Sequence, residues 1–158
     1  MPVNAFWEYT LSLESRYADY RKRIMKAFSL SAAEVDILLF LANNPGFDTA
    51  AQIARIRKIP KSQVSMSVAS LCEKGLLTGA HEKDDKKSVH LSLSPLALPV
   101  VTFGREVQEE FAALLFKGFS DEEKETLLAL HKKIEQNLRS GLAGGPQNER
   151  NEKNERKE

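Results

Sequence analysis

Residues 61–74 form a segment whose polar side chains could hydrogen-bond to the edges of DNA bases. The apolar residues at positions 64, 68, 71 and 72 recur at the spacing of one helical face, so the segment is predicted to be an amphipathic helix. Its other face has short or flexible side chains, which suit a major groove. The candidate base-contacting residues are Lys61, Ser62, Gln63, Ser65, Met66 and Ser67.

Basic side chains are concentrated around this helix. Residues 55–87 contain 8 basic and 4 acidic side chains, whereas residues 1–54 contain 5 and 6 and residues 88–158 contain 10 and 12. A solvated helix face would explain the polar residues alone, but cations beside them favour a DNA partner, because phosphate binding and base contact are needed together. The candidate phosphate and wing contacts are Arg55, Arg57, Lys58, Lys83, Lys86 and Lys87.

The elements that position these residues begin at three capping boxes, in which a Ser or Thr and an acidic or amide residue three positions later bond each other's backbone N–H groups. The pairs are Ser31 with Glu34, Thr49 with Gln52, and Ser120 with Glu123. Two short helices joined through Pro60 form a predicted helix-turn-helix. Gly75 suits the left-handed position that ends its second helix.

A β-hairpin is predicted to follow, with strands at residues 76–81 and 88–94. The second strand alternates, with Val89, Leu91 and Leu93 on one face and His90 on the other. Its charged connector is too polar to be buried and should project as a wing. The fold class is therefore predicted to be mainly α with a small β-hairpin wing, a winged helix-turn-helix over residues 31–94.

Flanking helices are predicted over residues 5–28 and 95–140, so that residues 1–140 form one domain. The first helix contains half of the aromatic residues, which could be core, a dimer surface or the wall of an effector pocket. Residues 141–158 have no apolar period and should be a disordered polar tail. The candidate pocket residues are Trp7, Tyr9, Tyr17 and Tyr20.

Enzymatic and metal-binding functions have little support in the sequence. The three histidines are scattered, and no arrangement typical of a nucleophile or phosphate loop is present, so we expect no enzyme, cofactor or metal. Cys72, the only cysteine, is expected to point into the core, where its thiol would be inert. No apolar run reaches the roughly 20 residues that span a bilayer, and no secretory signal is evident, so a cytoplasmic location is expected.

In order and spacing, these elements resemble the bacterial MarR family of multiple antibiotic resistance regulators over about residues 5–140. Residues 71–77 resemble the family's L-x-x-K-G-L-(I/L/V) exit from the recognition helix, and residues 85–94 resemble its wing. Residues 119–123 resemble the entry to its last helix. The chain departs from the family at Met66, where relatives often have a polar or basic residue, and at Lys86 and Lys87, where arginine is favoured.

This resemblance implies a DNA-binding transcriptional regulator that acts as a homodimer. The first, fifth and sixth helices would interleave as dimerisation helices, and two winged domains would bind a pseudo-palindromic double-stranded operator. The resemblance further implies a ligand-responsive repressor with a small aromatic or anionic effector. The alternative is a winged-helix protein-interaction module without a specific DNA site, whose binding would lack the steep salt dependence of DNA contacts.

Overall fold

The structure is mainly helical with one two-stranded antiparallel hairpin, as the sequence predicts. The computed structural model describes residues 3–81 and 87–143. The elements in chain order are α1 (Val3–Phe28), α2 (Ala32–Asn43), α3 (Ala50–Arg57), α4 (Lys61–Glu73), β1 (Leu77–Ala80), β2 (His90–Leu93), a 3-10 turn (Pro95–Ala97), α5 (Leu98–Leu115) and α6 (Asp121–Ala143).

The chain divides after Leu115 into two compact units. In the second unit Gly118 has a φ of +84°, and the capping box of Ser120 and Glu123 then begins α6. Helix α6 includes residues 141–143, which the sequence placed in the tail. Residues 144–158 lie outside the described residues, so the disordered tail and the single domain over residues 1–140 stay predictions.

The helix starts predicted in the first unit are confirmed. The Ser31 side chain accepts a bond from the Glu34 backbone N–H, and Thr49 accepts one from Gln52. At the end of α4, Gly75 has a φ of +69°, a conformation that glycine adopts without a steric penalty. Local capping chemistry therefore fixes where α2, α3 and α4 begin or end.

The core of the first unit is built around α2. Seven of the twelve residues of this helix are buried, including Ile37 and Leu38 with no exposed surface. They form one apolar cluster with residues of α1, α3, α4, α5 and the hairpin. Burial of this apolar surface is the main contribution to the stability of the unit. The cluster includes Ile24, Ile53, Val64, Leu71, Leu77, Leu91 and Val107.

The hairpin is anchored to the loop between α2 and α3. Its register pairs Leu77 with Leu93 and Ala80 with His90, so both strands are shorter than predicted. The Leu91 N–H donates to the Asp48 carbonyl oxygen at 2.8 Å, and the His90 Nδ1 lies 2.9 Å from the Asp48 carboxylate. These contacts fix the base of the wing against the helix-turn-helix.

A buried carboxylate joins α2 to the end of α4. Glu34 is 4% exposed, and its oxygens accept hydrogen bonds at 2.7 Å from the Ser31 N–H, the Ser70 hydroxyl and the Lys74 ammonium. Burial raises the pKa of Glu34, but the bonds from Lys74, Ser31 and Ser70 and the Lys74 charge outweigh it and lower the pKa to about 2. The carboxylate is therefore charged and fully partnered in the folded chain.

Glu34→Gln should destabilise the fold by about 1–3 kcal/mol, because the amide NH₂ would face a donor from Ser31 or Lys74 and leave a buried group unsatisfied. The contribution of Glu34 is complete above its ordinary pKa of 4.5 and disappears as pH falls through about 2. Urea unfolding at several pH values should therefore show a smaller loss of stability between pH 4.5 and 2 in the variant than in the parent.

Asp19→Asn is the matched control, since Asp19 forms an ion pair with Lys22 on the exposed surface of α1. It should leave the free energy of unfolding almost unchanged, because exposed ion pairs contribute little to stability. Equal stability of Glu34→Gln and the parent at neutral pH would contradict the role assigned to Glu34.

Candidate nucleic-acid interface

The turn between α3 and α4 forms an open groove bordered by basic residues. Lys58 ends α3 in the left-handed conformation, with φ 56°, and Pro60 is the N-cap of α4. The groove has a volume of about 920 Å³. Its lining residues are Ala51, Gln52, Ala54, Arg55, Lys58, Ile59, Pro60 and Lys61.

Five of the six candidate base-contacting residues lie on the exposed surface of α4. They are Lys61, Ser62, Gln63, Ser65 and Met66. Met66 is the most prominent, with 74% of its surface exposed. This face is therefore available to a partner as large as duplex DNA.

The outward face predicted for α4 is wrong at two positions, Ser67 and Cys72. Ser67 is 7% exposed and lies on the core side with Val64 and Leu71, so it does not belong to the candidate groove-contacting set. Cys72 is exposed rather than buried. The prediction was wrong because it counted Cys72 as an apolar residue and Ser67 as a polar one, whereas a small serine fits against the packed core.

The candidate phosphate contacts are arranged in two groups. Across the described residues 3–81 and 87–143, no carboxylate lies within ion-pair distance of Arg55 or Lys58, nor of Lys61, which was predicted to contact bases. Arg57 instead lies 3.7 Å from the Asp36 carboxylate. Lys87 is exposed three residues before β2, and the predicted wing contacts Lys83 and Lys86 lie outside the described residues.

The four aromatic residues predicted to line an effector pocket do not form one cluster. Tyr17 and Tyr20 each pack on Phe111 with ring centroids 5.2 Å apart, whereas Trp7 and Tyr9 are 58% and 54% exposed. Tyr17 lines a cavity formed with residues of α2, α3 and α5, and Trp7 and Tyr9 lie about 15 and 12 Å from it along the helix axis. Of the four predicted residues, the structure therefore places Tyr17 at this cavity, and the binding of an effector stays a prediction.

That cavity has a volume of about 360 Å³ and combines an aromatic wall with charged groups. The Asp36 carboxylate lies 2.6 Å from Arg21 and 3.7 Å from Arg57. Burial raises the pKa of Asp36 and outweighs the opposing charges of the two arginines. The lining residues are Tyr17, Asp36, Leu39, Phe40, Asn43, Asn44, Arg57, Gln108 and Phe111.

Two polar atoms near this cavity are under-satisfied. Within the part of the chain that the structure describes, Asp36 Oδ1 and Arg21 Nε are buried without a hydrogen-bond partner. Such atoms are uncommon in folded proteins and mark positions where a ligand or water can bind. Asp36 was not among the residues predicted from the sequence, although a charged residue within the otherwise apolar residues 35–42 was a visible signal.

No helix in the described ranges is both long and apolar enough to cross a membrane. Nor do any three His, Cys, Asp or Glu side chains in those ranges form a group that could hold a metal ion.

The MarR family model matches residues 28–88, which cover α2, the helix-turn-helix and the connector between the strands. The fold is similar to a MarR-family transcriptional regulator from Silicibacter pomeroyi, with a TM-score of 0.72, 20% identity, and coverage of 82% of this chain and 87% of that one. No curated protein matches the chain.

Two further solved structures have a similar fold. A MarR-family regulator from Listeria monocytogenes, complexed with 26mer DNA, has a TM-score of 0.71 and 20% identity, over 87% of this chain and 89% of that one. BpsR of Bordetella bronchiseptica, whose DNA binding is regulated by 6-hydroxynicotinic acid, has a TM-score of 0.62 and 19% identity, over 81% and 91%.

The match therefore covers the same segment that presents the polar face and the basic groove, and the relatives share the surrounding fold. Members of this family regulate transcription and are not enzymes. Residues 28–88 thus match the MarR family model, and the chain has the winged helix-turn-helix fold of the MarR-family transcriptional regulators to which it is similar.

Proposed function

We propose that the chain binds duplex DNA as a homodimer and inserts α4 of each protomer into the major groove of a pseudo-palindromic operator. The observation that supports this most directly is the exposed polar face of α4 beside the basic groove. Gln63 and Met66 would contact base edges, whereas Arg55, Lys58 and Lys61 would bind phosphates. The bound dimer acts as a repressor, since it excludes other proteins from the promoter DNA that it covers.

Exposed apolar side chains support the homodimer. In α1, Trp7 and Leu11 are 58% and 64% exposed. In α6, Leu130, Ile134 and Leu138 form a stripe and are 52%, 42% and 65% exposed. Large apolar groups at such density mark an association surface, and a second copy of the chain would cover them.

The cavity beside Asp36 suits a small aromatic acid as effector. Tyr17 and Phe111 offer aromatic faces, Arg57 can bind a carboxylate, and Asp36 Oδ1 can accept a hydrogen bond from a hydroxyl or ring N–H of the ligand. A ligand that favours the DNA-incompetent state would lower operator affinity by its affinity ratio between the two states. The compound that regulates BpsR is the first candidate to test.

Light scattering should give twice the chain mass at micromolar concentration. If α6 contributes to the dimer, Ile134→Glu should shift the protein toward the monomer, because the charge would be desolvated in the apolar interface. Gln136→Glu, which adds the same charge on the other side of α6, should remain a dimer. Monomeric parent protein would contradict the proposal.

The triple variant Arg55→Gln, Lys58→Gln and Lys61→Gln should bind all duplexes more weakly. The slope of log affinity against log salt should become shallower by about 0.9 for each phosphate that the variant no longer binds. Fluorescence anisotropy titrations against a duplex selected from a random pool, at several salt concentrations, measure both quantities.

The triple variant Lys26→Gln, Lys132→Gln and Lys133→Gln removes the same charge from exposed positions on α1 and α6. Its salt slope should match that of the parent. Equal effects of the two variants would show that only net charge matters. A parent protein that retains no duplex and shows a flat salt dependence would favour the protein-interaction module instead.

Arg57→Gln should weaken binding of 6-hydroxynicotinic acid or of a related aromatic acid by roughly 10-fold to 100-fold, the effect of removing one charged hydrogen bond. Isothermal titration calorimetry measures this change. Arg55→Gln is the matched control two residues earlier in α3, and it should weaken DNA binding but not acid binding. Equal acid affinity of Arg57→Gln and the parent would contradict the pocket assignment.

A further inference from the structure

The exposed face of α4 lacks a charged residue at its centre. Within this helix, Lys61 at the first position and Glu73 at the last are the only charged side chains. Arginine or lysine bonded to the two acceptors of guanine is the commonest specific base contact in the major groove. Because the middle of α4 has no such cation, its contacts should favour A·T base pairs.

Gln63 and Met66 are the two long side chains in this central region. They lie three residues apart and therefore share one face, about 4.5 Å apart along the helix axis. This distance is close to the roughly 3.4 Å between successive base pairs, so the two side chains can contact neighbouring pairs. The amide of Gln63 matches the N6 donor and N7 acceptor of adenine.

Met66 cannot hydrogen-bond usefully to a base edge, and its 74% exposure leaves an apolar side chain in water. The one apolar group that the major groove presents is the C5 methyl of thymine. The flexible thioether chain of methionine adapts to such a contact. Contact with this methyl would remove apolar surface of both partners from water.

We propose that Met66 determines specificity by contacting the C5 methyl of a thymine, next to the base pair whose adenine Gln63 contacts. This inference rests on the proposed function, because it assigns the chemistry of the same helix face. It implies that A·T base pairs occupy the centre of each operator half-site, and that the contacted thymine lies on a fixed strand.

The test replaces each thymine of a selected operator in turn with deoxyuridine, which lacks only the C5 methyl. In the parent protein, one substitution in each half-site should weaken binding roughly fourfold, the effect of one buried methyl group. Met66→Ala should bind the thymine and uracil duplexes equally. Met66→Leu should keep most of the difference, since leucine still offers an apolar contact.

Glu73→Gln is the control, because it changes an exposed position of the same helix outside the candidate base-contacting set and should leave the uracil effect intact. All these positions are exposed, so the variants should fold as the parent does. If no thymine shows a uracil effect, or if Met66→Ala retains it, the inference is overturned while DNA binding stands. A parent protein that binds no duplex would overturn the proposed function together with it.

Discussion

The hydrogen-bonded carboxylate of Glu34 is the constraint that determines which side of α4 faces away from the core. It joins the N-terminus of α2 to Ser70 in the last turn of α4 and to Lys74, the C-cap of that helix. A buried charge without its partner is strongly destabilising, so α4 cannot rotate about its axis without an energetic cost. The apolar contacts of Val64 and Leu71 fix the same face against the core. Which side chains face outward is thus decided by bonds on the opposite side of the helix.

Local signals in the sequence were sufficient for the fold but not for the sites. The capping boxes, the Gly75 turn and the strand alternation depend on residues a few positions apart, and they predicted the order of the elements. The partners of Glu34 lie 36 and 40 positions away, so the sequence showed only its capping role. Ser67 was assigned to the wrong face because its burial depends on packing rather than on its polarity.

The cavity was even harder to predict from the sequence than the partners of Glu34. Its charged lining residues, Asp36 and Arg57, come from α2 and α3, and Asp36 also forms an ion pair with Arg21 on α1. These residues are far apart in the chain, so no short sequence motif contains them. The aromatic content of α1 predicted a pocket near this helix, yet of the four predicted residues only Tyr17 lines it. Helix α3 contributes to both candidate sites, because Arg55 borders the groove while Arg57 lines the cavity. In the proposed function, this short helix connects effector binding to DNA binding.

The most direct test of the account is to locate α4 on bound DNA by cleavage from a tethered iron chelate. Cys72 is the only cysteine of the chain, so Gln63→Cys in a Cys72→Ala background gives one attachment point. The account predicts cleavage in the major groove at two positions related by symmetry, about one helical turn apart. Cleavage spread evenly along the duplex, or none on a duplex that is demonstrably bound, would contradict the claim that α4 is the DNA-recognition helix.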